Sequence, residues 1–194
     1  LYRAVTRAAL DTGLLAATDA AAVAGVAEEL ERIAQITDAS LTSGDAEILV
    51  GEHQFAASAL ESSEVEGYVP LVAALPAVRD ALRGVQRRIA DRGRAVLAGR
   101  DIGTVVLPDA PYKFFLDASA EARALRRALQ RGHLEGSAEH AQLLSGLIER
   151  DREDRGRAVA PLRAADDAMT ILTDSLTLDE VVATIVAAVQ RSRT

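Results

Sequence analysis

The chain has 194 residues, 49% hydrophobic and 26% charged, a balance that excludes a disordered or fibrous protein and suits one or at most two globular domains. It has no cysteine, which excludes a disulfide scaffold and argues against a structural zinc site. A net charge of −7 and only 3% aromatic residues disfavour general nucleic-acid binding and a base-stacking platform.

Tyr2 to Leu10 reads as a helix stopping near Gly13. Asp19 to Ala34 places Val23, Val26, Leu30 and Ile33 on one stripe and predicts a single amphipathic helix. The helical period is lost from Ile36 to Phe55. Short apolar pieces there, separated by Ser43-Gly44-Asp45 and closed by Gly51, predict a small antiparallel hairpin region. A helix runs from Ser63 toward Leu75, and Pro76 opens another that extends from Val78 to Arg92. Ala95-Val96-Leu97-Ala98 is a short apolar run of the kind that forms a buried parallel strand, followed by a turn over Gly99–Gly103. Tyr112 to Leu116 predicts a second buried strand, which would hold the single lysine, Lys113. Ser119 caps a helix reaching Arg131, Gly132–Gly136 breaks the chain, and Gln142 to Arg155 is helical again. Met169–Leu172 is a last strand, and Thr177 with Glu180 forms a capping box for a helix ending near Gln190. Strands alternating with helices predict an α/β fold, a parallel sheet flanked by helices.

Apart from Lys113, every basic residue is arginine. The stretch from Arg123 to Arg163 holds nine arginines against six acids, so an acidic chain carries one locally cationic segment. Guanidinium forks match phosphate and carboxylate geometry. Ligands of open parallel sheets bind beyond the carboxyl ends of the strands, and Arg100 and Asp101 directly follow the expected strand at Ala95–Ala98. An arginine there suits a phosphate and the neighbouring carboxylate a sugar hydroxyl; a tight turn bearing a surface ion pair suits the same spacing. Arg150, Asp154 and Arg157 share one helical face. That pattern is either a surface salt-bridge ladder or, because the apolar run Ala158–Leu162 draws its end toward a core, a partly buried ligand site. His53, His133 and His140 read as surface residues without a role and show no metal-ligand spacing.

These segments resemble a family. Leu1-Tyr2-Arg3-Ala4-Val5-Thr6, the run from Val72 to Arg79, Gly99-Arg100-Asp101-Ile102-Gly103-Thr104 continuing to Ala110, Phe115-Leu116-Asp117-Ala118-Ser119, Glu149-Arg150-Asp151, Arg157 to Leu162 and Ala165-Asp166-Asp167-Ala168 are similar, in order and spacing, to bacterial cytidylate kinases. The resemblance implies a P-loop nucleoside monophosphate kinase fold, with a small antiparallel nucleotide-binding insertion at about residues 33–70 and an arginine-rich helical lid at about 123–157, all within one domain over 1–194. It implies transfer of the ATP γ-phosphoryl group to CMP or dCMP, with Mg2+ accompanying ATP and bound mainly through its phosphates. It further implies that Arg3, Arg100 and Arg150 hold the CMP phosphate, that Arg79 and Asp154 read cytosine, and that Asp101 and Arg157 grip the sugar. Tyr2 would line the acceptor pocket, and Arg126 and Arg127 would close over the transferring phosphate. Small nucleotides are thus the expected partners, with no nucleic acid and no membrane, and a cytoplasmic monomer is the default.

No Gly-x-x-x-x-Gly-Lys-Ser/Thr occurs in the chain, and the expectation is that the first strand–P-loop–helix unit lies upstream of Leu1. Three other positions depart from the family pattern, which usually has serine at Pro70, an acid at Ala98 and arginine at Glu61. Two other readings stay open at this point: a non-catalytic, degenerate kinase serving as a nucleotide-binding or structural domain, and, disfavoured by charge and composition, an RNA-binding module.

Overall fold

A computed structural model describes residues 1–15, 19–42, 45–56, 60–93, 95–156 and 162–191, with backbone alone for 40–42, 45–47 and 153–155. The chain forms two compact units, Leu1–Leu97 and Ala98–Thr194.

The N-terminal unit opens with α1 (Tyr2–Asp11), which buries Ala4, Val5, Thr6 and Ala9. Thr6 is tolerated in the core because its hydroxyl donates to the Tyr2 carbonyl, 2.9 Å away. The helix expected over Asp19–Ala34 is two helices, α2 (Ala20–Gly25) and α3 (Ala27–Gln35). Asp19 caps the first through the Ala22 N–H at 2.8 Å. Gly25, the costliest ordinary residue to hold helical, precedes the break at Val26, where φ is −113°. The break leaves both Val23 and Leu30 fully buried.

The hairpin region is a three-stranded antiparallel meander of β1 (Thr37–Thr42), β2 (Asp45–Val50) and β3 (His53–Ala56). Two of the three residues expected to turn between the first pieces, Ser43 and Gly44, lie outside the described residues. Gly51 turns the chain into β3 at φ +59°, the left-handed region glycine enters without steric cost. Two helices follow, α4 (Ser63–Ala74) and α5 (Pro76–Asp91). Ser62 caps α4 by accepting the Val65 N–H, and Pro76 occupies the first turn of α5, where a missing N–H does no harm. Val5, Leu30, Val72, Val78 and Leu82 bring α1, α3, α4 and α5 onto one core.

The C-terminal unit holds β4 (Phe114–Asp117) and β5 (Met169–Leu172), paired in parallel with Phe114 opposite Met169 and Asp117 opposite Leu172. Lys113 is not inside the strand, as expected, but just before it; its carbonyl still accepts the Met169 N–H at 2.9 Å. Ser119 caps α6 (Ala120–Gln130) through the Ala122 N–H, α7 spans Ala138–Gly156 and α8 Leu178–Arg191. The Thr177–Glu180 capping box is formed in both directions, at 2.8 and 3.3 Å.

Three expectations fail in this region. Residues 95–98 form no strand, and the Val96 side chain is 99% exposed. The turn over Gly99–Gly103 is a bend that runs into a π-helical turn, Ile102–Val106. The strand expected to be buried carries Leu116 at 53% exposure, and Leu172 on β5 is exposed as well. A four-residue apolar run has no structure of its own; it becomes a buried strand only where neighbouring strands supply hydrogen bonds and cover.

Candidate functional site

The residues singled out in sequence divide between the two units. In the N-terminal unit Tyr2 and Arg3 stand on the first turn of α1, and Arg79 near the start of α5. Tyr2 packs half-buried against the helical core. The Arg3 guanidinium is held from two sides, donating through Nη1 to the Leu60 carbonyl at 2.8 Å and through Nη2 to Glu66 Oε1 at 3.0 Å. Arg79 is half-buried, with Nη1 3.4 Å from the Ala73 carbonyl at the end of α4.

In the C-terminal unit Arg100 and Asp101 are half-buried on the bend before the π-turn. With no strand at 95–98, it is this turn, and not a strand end, that presents them. The Asp101 carbonyl accepts the Val105 and Val106 N–H groups at 2.9 and 3.2 Å, and Leu107 N–H returns to the Ile102 carbonyl at 2.7 Å. A Cβ at Gly99 would stand 2.9 Å from the Ile102 side chain, so glycine there permits the tight approach.

The carboxyl ends of β4 and β5 open into a shallow cleft of about 220 Å3, lined by Asp117, Ser119, Arg123, Asp151, Leu172 and Asp174. This is where open α/β sheets place ligands. Arg123 and Asp151 form a two-pronged ion pair between α6 and α7, with Nη1 2.9 Å from Oδ1 and Nη2 on Oδ2. That contact holds the Arg123 guanidinium above its ordinary pKa. Asp174 accepts the Ser119 N–H at 3.1 Å, and hydrogen bonding from Ser119 holds its carboxyl below the usual range.

Arg126 is half-buried and held by hydrogen bonds at the end of β5. Its Nη2 donates to the Thr173 carbonyl and its Nη1 reaches the Thr173 hydroxyl at 3.2 Å, fastening α6 to the end of β5. Arg127 lies exposed, so the adjacent pair points to different sides of the helix as helical geometry requires. Arg150 is exposed on α7. Asp154 is placed on α7 by its backbone alone, and Arg157 lies outside the described residues, as do Ala158–Pro161 of the apolar run after it.

A second cavity in this unit, about 250 Å3, lies beside Gly103, Thr104, Lys113 and Asp167. His140 is half-buried, not at the surface: its Nδ1 accepts the Gly136 N–H at 3.0 Å and its Nε2 is enclosed. Sequence reasoning missed Arg123, Asp151, Asp174 and Lys113 as organisers of the C-terminal unit. Asp174 could have been found, since it is an acid immediately beyond a strand's carboxyl end; the Arg123–Asp151 pairing, 28 residues apart, had no local signal.

The sequence pattern of the cytidylate kinase family matches residues 1–191. The chain is 40% identical to a cytidylate kinase of Limosilactobacillus fermentum, over 99% of this chain and 82% of that protein. It is 40% identical to one from Pseudomonas aeruginosa (98% and 81% covered) and 42% identical to one from Cereibacter sphaeroides (93% and 82%).

Proposed function

The chain belongs to the cytidylate kinase family, and from that premise we infer how its residues share the work of moving a phosphoryl group. Its reaction is that of a nucleoside monophosphate kinase, transfer of the ATP γ-phosphoryl group to CMP. The observation that carries the reading is the match over nearly the full chain, which includes the arginine-bearing segments. Phosphoryl transfer asks a protein for positioning and for charge stabilisation, and offers little covalent work to do. Arginine is suited to it, being always charged and able to grip two phosphate oxygens at once.

Arg3, Arg100 and Arg150 would hold the acceptor phosphate. Arg3 supports this role because Leu60 and Glu66 already fix its guanidinium, so little freedom remains to be lost on binding. Asp101 and Arg157 would take the sugar, Arg79 and Asp154 the cytosine, and Tyr2 a wall of the pocket. Arg126 and Arg127 would close over the transferring phosphate, Arg126 by leaving Thr173. The insertion, at about 33–70, would take in the meander and the start of α4, and the lid, at about 123–157, would take in α6 and α7, both within one kinase domain over 1–194. Among the described residues no three histidine, cysteine, aspartate or glutamate side chains converge as a metal site. Magnesium commonly binds through substrate phosphates with one or two carboxylates, so the ion belongs to the ATP phosphates, whose charge it neutralises when bound. Among the described residues no helix is long and apolar enough to cross a membrane, and a cytoplasmic monomer acting on dCMP as well as CMP completes the proposal.

The test is ADP formation from ATP and magnesium with CMP, dCMP, UMP and AMP as acceptors, for the protein and for Arg150→Met. The expected result is turnover selective for cytidine nucleotides, with kcat down about 100-fold in the variant, as loss of one charge-stabilising donor costs. Equal use of all four acceptors, or an unaffected Arg150→Met, would overturn it.

A further inference from the structure

Lys113 is the only lysine in the chain, and its side chain is just 7% exposed although it bears a charge. A buried ammonium needs partners, and this one has two from different parts of the C-terminal unit. Its Nζ donates to the Pro108 carbonyl and sits 2.5 Å from Asp167 Oδ2. The stem of the side chain lies against the π-turn: a Cβ built on Gly103 would be 3.4 Å from Lys113 Cδ and 3.7 Å from the Ala165 Cβ. Gly103 therefore lies in a slot between the lysine stem and the segment that follows α7.

The π-turn is continuous with the residues that carry the acceptor chemistry. Backbone bonds from Val105 and Val106 to the Asp101 carbonyl, and from Leu107 to the Ile102 carbonyl, tie Asp101 to Leu107 as one piece, with Pro108 next in the chain. Gripping the Pro108 carbonyl and packing on Gly103 thus holds the turn from inside and just past its end, with Arg100 and Asp101 at its start. Asp167 takes the same ammonium, so Nζ joins the Pro108 carbonyl to the segment that carries Asp167.

We propose that Lys113 is a positioning residue for acceptor binding, clamping the Arg100–Asp101 turn to the Ala165–Asp167 segment so that guanidinium and carboxylate are held where the CMP phosphate and sugar arrive. The proposal rests on the assignment of Arg100 to the acceptor phosphate. Lysine suits the task because a flexible four-carbon stem can pass through the slot while its compact ammonium takes a carbonyl and a carboxylate together.

The experiment is a calorimetric measurement of CMP affinity for the intact protein and for Lys113→Met, Lys113→Arg, Asp167→Asn, Arg100→Met and the Lys113→Met/Arg100→Met double variant, with melting temperatures alongside. Lys113→Met keeps the stem and loses the ammonium, and CMP affinity is expected to fall about tenfold, the scale of one weakened hydrogen bond to a charged group. Lys113→Arg should recover part of the loss. In the Arg100→Met background the same lysine change should cost less than twofold, because the group it positions has gone; a general loss of stability would instead weaken both backgrounds alike. Affinity within twofold of the parent in Lys113→Met, or an equal tenfold loss in both backgrounds, overturns the proposal while the Arg100 assignment stands. If Arg100→Met itself binds CMP normally, the acceptor assignment fails and the proposal falls with it. Should Lys113→Met not fold, Asp167→Asn decides: its carboxyl is 65% exposed, and unchanged CMP affinity in that variant overturns the clamp.

Discussion

Replacing Arg123 by methionine removes an ion pair that ties together the two helices of the arginine-rich segment. The guanidinium makes two bonds to Asp151 and, through Nε, approaches the Ala118 and Ser119 carbonyls at 3.1 and 3.2 Å. The two side chains are 29% and 23% exposed, so water screens them only in part. A fully exposed pair contributes about 0–1 kcal/mol, and hydrogen bonds to charged groups about 1.5–3 kcal/mol. Between those limits the pairwise contribution should be about 1–2 kcal/mol. Urea unfolding of the parent, Arg123→Met, Asp151→Asn and the double variant isolates it as the non-additive part. Amide exchange across α6 and α7 then shows whether the loss is local to those helices. A coupling energy below about 0.5 kcal/mol would refute the reasoning, placing the pair with the many surface ion pairs that contribute nothing measurable.

Pro70 lies inside α4, where it denies the Glu66 carbonyl its N–H partner and is itself exposed, so Pro70→Ala should raise stability by about 1–3 kcal/mol in urea unfolding; an unchanged or lower midpoint would show that α4 is shaped to need the proline. Thr177→Ala removes the hydroxyl half of the capping box and should cost about 1 kcal/mol, seen first as faster amide exchange in the opening turn of α8. Hydrogen bonding from Arg92 holds the Asp38 carboxyl below its usual range, and hydrogen bonds from Thr177 do the same for Glu180. Carboxylates with depressed folded-state pKa values stabilise above their unfolded values of about 4 and lose that contribution as pH falls through the folded ones. Unfolding midpoints should therefore drop below about pH 4, with a shallower acid limb in Asp38→Asn; an identical limb would mean the Arg92 contact does not persist in solution.

The features legible in the sequence are those whose causes are local. Ser119 and Thr177 were read as caps and each caps the helix that follows, because a side-chain oxygen two or three residues from a free N–H needs no tertiary partner; Asp19 and Ser62, not singled out as caps in the sequence, do the same. Pro76 opened α5 for the same kind of reason. The break at Val26 was hidden by the helical stripe that both halves of the α2–α3 segment satisfy; Gly25 beside it is the local weak point, and burial of Val23 and Leu30 on a common core accompanies the split into two helices. The candidate site divides in the same way: Arg3, Arg100 and Asp101 stood out by motif, whereas the partners that hold Arg3 lie 57 and 63 residues along the chain.

Sequence alone determined where most helices lie, the capped starts of α6 and α8, the short apolar runs that become β4 and β5, the concentration of arginine in an acidic chain and the family these motifs belong to. Tertiary structure alone decided the partners of the charges that pair across the C-terminal unit. Arg126 is fastened to Thr173, Arg123 to Asp151 and Lys113 to Asp167, 47, 28 and 54 residues apart. It also decided that the apolar run at Ala95–Ala98 forms no strand. A cap or a helical stripe is stabilised by atoms within about one turn, so it is written where it acts. A strand's ladder and a buried ion's partner come from distant chain, and they exist only once the fold has brought that chain alongside.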